Sequence, residues 1–126
     1  MVTWILWALI LAMLAWMGFN YLRIRRAAKI VDNEEFEALI RTGQLIDLRD
    51  PAEFHRKHIL GARNIPSSHL KTSLAALRKD KPVLLYENQR AQRVTNAALY
   101  LKKQGFSEIY ILSYGLDSWK GKVKTS

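Results

Sequence analysis

Cysteine is absent from all 126 residues of this chain. Its absence excludes disulfide bonds, thiolate metal ligands and any catalysis that needs a sulfur nucleophile. It does not indicate a redox compartment, since a chain without thiols is compatible with a reducing or an oxidising one. Proline and glycine are also few, at three and six residues, and the chain contains no internal repeat and no low-complexity stretch.

Charge is absent from the first 22 residues. The 21 residues 2–22 are almost entirely apolar, and as a helix they would reach roughly 31 Å, enough for a hydrocarbon core of about 30 Å. Trp4, Trp7, Trp16 and Tyr21 lie toward the two ends, where amphipathic rings favour the headgroup region. The sequence therefore predicts one N-terminal transmembrane helix.

Two other interpretations of this segment are weaker. A buried helix of a soluble protein seldom has 18 or more consecutive apolar residues. A cleaved signal peptide has a basic start, a shorter apolar core and a small-residue cleavage site. Here no residue before Arg23 is basic, and residues 16–19 (Trp-Met-Gly-Phe) suit cleavage poorly, so an uncleaved anchor is favoured.

The basic residues predict the orientation of this anchor. All 20 Lys and Arg lie at or after Arg23, and Arg23, Arg25, Arg26 and Lys29 follow the span directly. Cytoplasmic flanks carry an excess of such residues. We therefore predict a single-pass protein of the cell membrane with its N-terminus outside, residues 1–28 as anchor and basic flank, and residues 29–126 as a cytoplasmic domain.

That domain carries the whole net charge of +9. A basic balance favours attraction to an anionic leaflet, and nucleic-acid binding is the competing interpretation. The Lys and Arg are dispersed and no basic stripe interleaved with aromatics is visible, so no nucleic-acid partner is expected.

Short apolar runs alternate with helical patterns along the domain, which is typical of a parallel sheet covered on both faces. Strands are predicted at 45–48, 62–65, 83–86 and 109–112. Helices are predicted from the polar cluster at 32–35 to Gly43, from Pro51, over 67–77 with a serine cap, over 91–104 and at 116–119. A basic tail ends the chain.

Two motifs carry a family resemblance. Residues 47–54 read D-L-R-D-P-A-E-F and residues 57–66 read K-H-I-L-G-A-R-N-I-P. They resemble the rhodanese signature D-x-R-x-x-x-E-F followed by G-H-I-x-G-A-x-N-I-P, with Lys57 in place of a glycine. Gly105-Phe106, Gly115 and Trp119 resemble the second framework segment, where Tyr114 replaces the first of two glycines. The resemblance covers about residues 29–122.

The resemblance implies an α/β fold with a five-stranded parallel sheet and helices on both faces. It also implies an active loop after the strand 83–86, with a cysteine nucleophile at its start. This chain has Glu87 there, and a carboxylate cannot carry a persulfide sulfur. The resemblance therefore supplies no catalytic residue, only a degenerate nucleophile position.

The loop at that position gives the candidate binding residues. They are Glu87, Asn88, Gln89, Arg90, Ala91, Gln92 and Arg93, with Asp47 and Arg49 as supporting residues. Glu87 is predicted to accept loop N–H groups and to pair with Arg90 or Arg93, taking the place of a bound anion. The alternative is a degenerate loop whose Glu points into solvent. For Asp47 and Arg49, an ion pair that ties the strand end to its neighbours is favoured over a role in ligand binding.

These observations predict a membrane-anchored, catalytically inactive module that binds a protein or a small anion. The alternative is the sulfur transfer from thiosulfate that the family resemblance implies, disfavoured because no thiolate can form; a phosphatase of the same loop type fails for that reason too. No cofactor is expected. A metal is not expected either, since His55, His58 and His69 lack a second ligand group at metal-site spacing.

Overall fold

The computed structural model describes residues 2–88 and 92–125, with the backbone alone for 23–27. Helices and strands alternate after a long N-terminal helix. The helices are α1 (Val2–Ala27), α2 (Asn33–Ile40), α3 (Pro51–Arg56) and α4 (Gln92–Lys103). The strands are β1 (Lys29–Val31), β2 (Gln44–Asp47), β3 (Lys57–Ile59), β4 (Arg63–Asn64), β5 (Val83–Tyr86), β6 (Ile109–Leu112) and β7 (Val123–Thr125).

Five of these strands form one parallel sheet in the order β1-β6-β5-β2-β4. The central strands pair in simple register, with Leu45 opposite Leu84 and Leu84 opposite Tyr110. All strands of a parallel sheet begin at one end and finish at the other. We call these the amino end and the carboxyl end of the sheet. Residues that follow β2 and β5 therefore meet at the carboxyl end.

The apolar core lies on both faces of the sheet. One cluster joins Leu85 and Ile111 to Ala97 and Leu101 of α4. The other joins Leu84 and Leu112 to Phe36 of α2, which Trp119 meets edge-on with ring centroids 5.8 Å apart. Burial on both faces explains why these strands are continuously apolar. The predicted α/β fold with a five-stranded parallel sheet is confirmed.

Most of the predicted elements lie within a residue or two of their observed positions. Asp32 caps α2, because its carboxylate accepts a hydrogen bond from the Glu35 N–H at 2.9 Å. Asp50 precedes α3 without a side-chain cap bond. Helix α4 buries Val94, Ala97, Ala98 and Leu101 at the helical spacing that the sequence showed.

Three predictions about local structure were wrong. The segment 67–77 contains two single 3-10 turns, Ser67–His69 and Leu74–Ala76, instead of one helix capped by serine. Residues 116–118 also form a 3-10 turn. The expected basic tail contains β7, which pairs antiparallel with β3 in a separate two-stranded sheet. Each of these turns and strands has three residues, too few for a periodic pattern.

Helix α1 joins the domain at the amino end of the sheet. Residues 2–22 form an apolar stretch long enough to span a membrane, and none of that stretch is buried by the rest of the protein. Ala28 is buried in the core and Lys29 opens β1 opposite Tyr110. The long apolar helix is thus attached to the domain by a short connection.

Candidate functional site at the carboxyl end of the sheet

Glu87 directly follows β5 and turns back into the protein. It is only 8% exposed, and its Oε2 accepts a hydrogen bond from the Val94 N–H at 2.8 Å. Val94 is the third residue of α4, and this N–H has no acceptor within the helix. The carboxylate therefore caps α4 from outside the helix, in the manner of an N-cap side chain.

The surroundings of Glu87 disfavour its charge. Burial raises the pKa of this carboxyl above its usual value, and the nearby carboxylates of Glu53 and Asp47 add to that rise. The Val94 N–H and the positive charge of Arg93 oppose it without cancelling it. Among the described residues, Glu87 is thus a buried acid held by the Val94 N–H and the nearby charge of Arg93.

Asp47 and Arg49 form a buried ion pair at the end of β2. Asp47 is fully buried and Arg49 is 5% exposed. The guanidinium donates to both carboxylate oxygens, with Nη2 at 2.8 Å from Oδ2 and Nε at 3.1 Å from Oδ1. Burial alone would lower the pKa of Arg49, but the bonds to Asp47 outweigh it and raise that pKa. Burial, together with Asp47, also raises the pKa of Tyr86 beside the pair.

Arg49 also connects this pair to the loop that begins at Glu87. Its Nη1 donates to Asn88 Oδ1 at 3.0 Å, and its Nη2 donates to the Lys57 carbonyl oxygen. Asn88 in turn donates to Glu53 Oε2 at 3.0 Å. Arg49 therefore holds the strand end, α3 and the loop together, as the favoured structural interpretation predicted.

The turn after β6 supports the loop from the other side. The Glu87 carbonyl accepts from the Leu116 N–H at 2.8 Å, and the Asn88 carbonyl accepts from the Asp117 N–H at 3.0 Å. Gly115 has φ +70°, and a Cβ there would lie 2.5 Å from the Glu87 carbonyl oxygen and closer still to that of Asn88. Only glycine permits this approach.

A charged cleft of about 380 Å³ opens beside the loop. Its walls are Arg49, Glu53, Arg56, Lys57, Asn88, Leu116 and Asp117. Of these, the sequence predicted a site role for Arg49 and Asn88 alone. Arg56 lies between the two motif segments and Lys57 begins the second, where it replaces a glycine, which was an available signal. Asp117 and Leu116 are brought in by tertiary contacts that no local pattern indicates.

The other candidate residues are arranged as follows. Arg93 is exposed and lines a separate cleft of about 250 Å³ between the turn at 67–71 and α4. Gln92 is exposed and donates to Asn96 Oδ1 at 2.8 Å. Gln89, Arg90 and Ala91 lie outside the described residues, so the predicted pairing of Glu87 with Arg90 stays a prediction.

The histidines show no metal-site arrangement. His58 Nδ1 lies 2.7 Å from the Phe54 carbonyl oxygen, and its ring stacks on that of Phe54 with centroids 3.8 Å apart. Within residues 2–88 and 92–125, no group of three or more His, Asp or Glu side chains could hold a metal ion. What the site offers is a capped helix, a buried ion pair and a charged cleft.

Comparison with known proteins decides the family. The rhodanese-like domain family matches residues 32–122. This chain belongs to the rhodanese-like domain family. Among its relatives, the Bacillus subtilis protein YqhL, described as uncharacterized, is 47% identical over 113 residues, which cover 90% of this chain and 89% of YqhL.

Two further proteins are similar to this chain at lower sequence identity. Thiosulfate sulfurtransferase GlpE of Stutzerimonas stutzeri is 36% identical over 95 residues, covering 73% of this chain and 84% of GlpE. A rhodanese-related protein from Thermoplasma volcanium has a similar crystal structure, with a TM-score of 0.70 at 23% identity, covering 78% of this chain and 99% of the other. The last likeness shows the rhodanese fold alone.

Proposed function

We propose that this protein is a membrane-anchored, catalytically inactive rhodanese-like module whose former active loop serves as a binding surface. The observation that carries the proposal is Glu87. The residue at the predicted nucleophile position is a buried carboxylate that caps α4, and no thiol exists anywhere in the chain. Covalent sulfur transfer proceeds through a thiolate.

A protein partner is favoured over a small anion as the ligand of this loop. The carboxylate of Glu87 already occupies the N–H of Val94 in the first turn of α4. Arg49 is likewise committed to Asp47, Asn88 and the Lys57 carbonyl. The lining of the cleft is polar and of mixed charge, with Arg56 and Lys57 on one side of the charge balance and Asp117 on the other. Next to it, Tyr114 is 70% exposed, and exposed aromatic side chains are frequent anchors of protein interfaces.

Sulfur transfer from thiosulfate is the second candidate. The relative GlpE, a thiosulfate sulfurtransferase, favours it. Incubation of the purified chain with thiosulfate and cyanide tests it directly, with thiocyanate as the product and intact mass as the record of any bound sulfur. Thiocyanate formation above the buffer rate would contradict the inactive assignment.

Photo-crosslinking tests the binding surface. A benzophenone amino acid at Tyr114 is expected to capture a partner in native membranes, and Arg56→Glu/Lys57→Glu is expected to abolish the capture. Lys122→Glu/Lys124→Glu changes the same charge on exposed residues outside the cleft and is expected to leave it intact. Equal capture by both variants would move the binding surface away from the cleft.

A further inference from the structure

Basic side chains gather at the amino end of the sheet, opposite the loop that begins at Glu87. Three turns supply them, at residues 41–43, 78–82 and 102–108, the last counted from the final two residues of α4. All six basic residues in these turns are exposed. We call them the amino-end basic surface: Arg41, Arg78, Lys79, Lys81, Lys102 and Lys103.

Hydrogen bonds hold the three turns side by side. The Pro82 carbonyl accepts from the Gln44 N–H at 2.8 Å, and the Glu108 carbonyl accepts from the Val83 N–H at 2.8 Å. The Gln44 side chain donates to the Arg78 carbonyl at 2.7 Å and accepts from the Arg78 N–H at 2.7 Å. These bonds place one turn against the next along the starts of β2, β5 and β6.

Side-chain contacts bring two of the turns closer still. Lys79 Nζ lies 5.9 Å from the centre of the Phe106 ring. A Cβ on Gly105 would lie 3.5 Å from the same ammonium group. The lysines of residues 78–82 and those of residues 102–103 therefore belong to one surface.

Few acidic side chains offset this charge. Within the same three turns, all described, the acids are Asp80 and Glu108. Asp80 is already paired with Arg78, with Nη2 and Oδ2 2.6 Å apart. Lys102 and Lys103 also suit the C-terminal end of α4, and Arg41 that of α2, where cations favour the helix dipole, but Lys79 and Lys81 have no such explanation.

The apolar helix α1 reaches the domain at this same end. Residues 2–22 are the stretch that could span a membrane, and five helical residues, 23–27, separate them from buried Ala28. Five residues of helix rise about 8 Å, which is about one Debye length at physiological ionic strength. The amino-end basic surface is thus tethered within electrostatic reach of any bilayer that α1 enters.

We infer that the amino-end basic surface docks the domain onto an anionic membrane surface, so that the loop at the carboxyl end faces away from the bilayer. The inference rests on the proposed insertion of α1. It adds that the domain is held in one orientation rather than moving freely on its tether. The charge of this surface matches anionic headgroups, and the Glu87 loop and the charged cleft lie at the far end of the same strands.

Energy transfer in lipid nanodiscs tests the inference with the full chain. The absence of native cysteine allows a single donor dye at Ser107→Cys, exposed at the amino end, or at Tyr114→Cys, exposed at the carboxyl end. The acceptor is a labelled headgroup. Transfer from position 107 is expected to be about twofold higher in nanodiscs containing phosphatidylglycerol than in phosphatidylcholine alone, and to lose that gain in about 0.5 M salt. Transfer from position 114 is expected to be lower in the anionic lipid.

A matched pair of variants locates the effect. Lys81→Glu/Lys102→Glu/Lys103→Glu is expected to abolish the lipid dependence, whereas Lys120→Glu/Lys122→Glu/Lys124→Glu, exposed elsewhere, is expected to keep it. Equal transfer in both lipids, or equal loss in both variants, would overturn the inference. Retention of the wild-type chain in neutral nanodiscs reports insertion of α1 separately, so failure of the anchor is distinguishable from failure of the docking.

Discussion

Glu87 combines two opposite effects in one side chain. As an acceptor it satisfies the Val94 N–H at the start of α4. As a charge it is costly, because burial and the neighbouring Glu53 and Asp47 raise its pKa. An acid with a raised pKa binds its proton more tightly in the folded state. The contribution of Glu87 to stability is therefore greatest below its unfolded-state pKa and declines as pH rises through its folded-state pKa.

Glu87→Gln separates these two effects. The amide keeps an acceptor for Val94 and removes the charge, so the variant should gain stability relative to wild type as pH rises from the ordinary glutamate pKa through the raised pKa of Glu87, and the difference should level off above that raised pKa. The difference should become constant at pH values below the ordinary glutamate pKa of about 4.3. Urea unfolding of the full chain in detergent from pH 4 to pH 8, followed by near-ultraviolet circular dichroism, measures it.

Glu87→Ala is the control for the acceptor. It removes charge and acceptor together, and loss of a helix cap costs about 1 kcal/mol. The alanine variant should therefore unfold more easily than the glutamine variant at every pH. A pH-independent difference between wild type and Glu87→Gln would mean that the charge of Glu87 is not penalised in the folded protein.

Loss of the Arg49 side chain should lower the stability of the domain and loosen the backbone at 87–88. Arg49→Met leaves the Asp47 carboxylate fully buried without its cation, and breaking a buried pair in this way costs about 3 kcal/mol. Asn88 also loses its guanidinium donor, so amide exchange at 87–88 should accelerate. Urea unfolding and hydrogen exchange check both effects.

Arg56, which lines the same cleft, supplies a matched control. Arg56→Met removes the same side chain from an exposed position of the same cleft, and surface substitutions usually change stability by about 0.5 kcal/mol or less. If the two variants were equally stable, the network around Arg49 would not hold the loop.

At the level of single residues, the sequence predicted the site in part. The Asp47–Arg49 pair follows from two residues of one motif at the end of one strand. For Glu87 the prediction named N–H groups of its own loop, whereas the described hydrogen bond comes from Val94 in α4. By contrast, the contacts of Asn88 with Glu53 and of Asp117 with the loop join residues that are 35 and 29 positions apart. No local pattern encodes them, because they exist only after β2, β5 and β6 have paired.

At the level of elements, the regular helices and strands were predicted better than the short turns and the small second sheet. Helix α4 and strands β2, β5 and β6 were predicted well, since continuous burial gives them strong patterns. The 3-10 turns were missed because their bonds span only three positions. Strands β3 and β7 were missed because their bonds join residues far apart in the chain. The turn at 115–118 matters most, since its N–H groups bond to the backbone of Glu87 and Asn88.

Gly115→Ala tests that turn. The variant must adopt φ +70° and push a methyl group against the carbonyls of Glu87 and Asn88. Gly61→Ala is the matched control, because Gly61 also has positive φ, at +91°, but has nothing within 4 Å of the added carbon. Backbone strain alone costs about 1 kcal/mol. The Gly115 variant should lose clearly more than that in urea unfolding, and equal losses would mean that the turn yields without disturbing the loop.

At the level of the whole molecule, the two ends of the sheet have different tasks in this proposal. The amino end carries α1 and the amino-end basic surface, while the carboxyl end carries the capped loop and the charged cleft. A binding module needs this separation, because a loop pressed against the bilayer could not meet a soluble partner. The direction of α1 in the membrane then decides which compartment the loop faces.

The direction of α1 is predicted from charge. The first 22 residues carry no charged side chain, whereas Arg23, Arg25, Arg26 and Lys29 follow the apolar stretch directly, and such a flank is retained in the cytoplasm. In a chain without native cysteine, Thr3→Cys should react with a membrane-impermeant maleimide in intact bacterial cells, and Ser107→Cys should react only after lysis. Adding four lysines before Thr3 is the control, since it should weaken or reverse the asymmetry. Labelling of Ser107→Cys in intact cells would place the domain outside, where the loop could meet only extracytoplasmic partners.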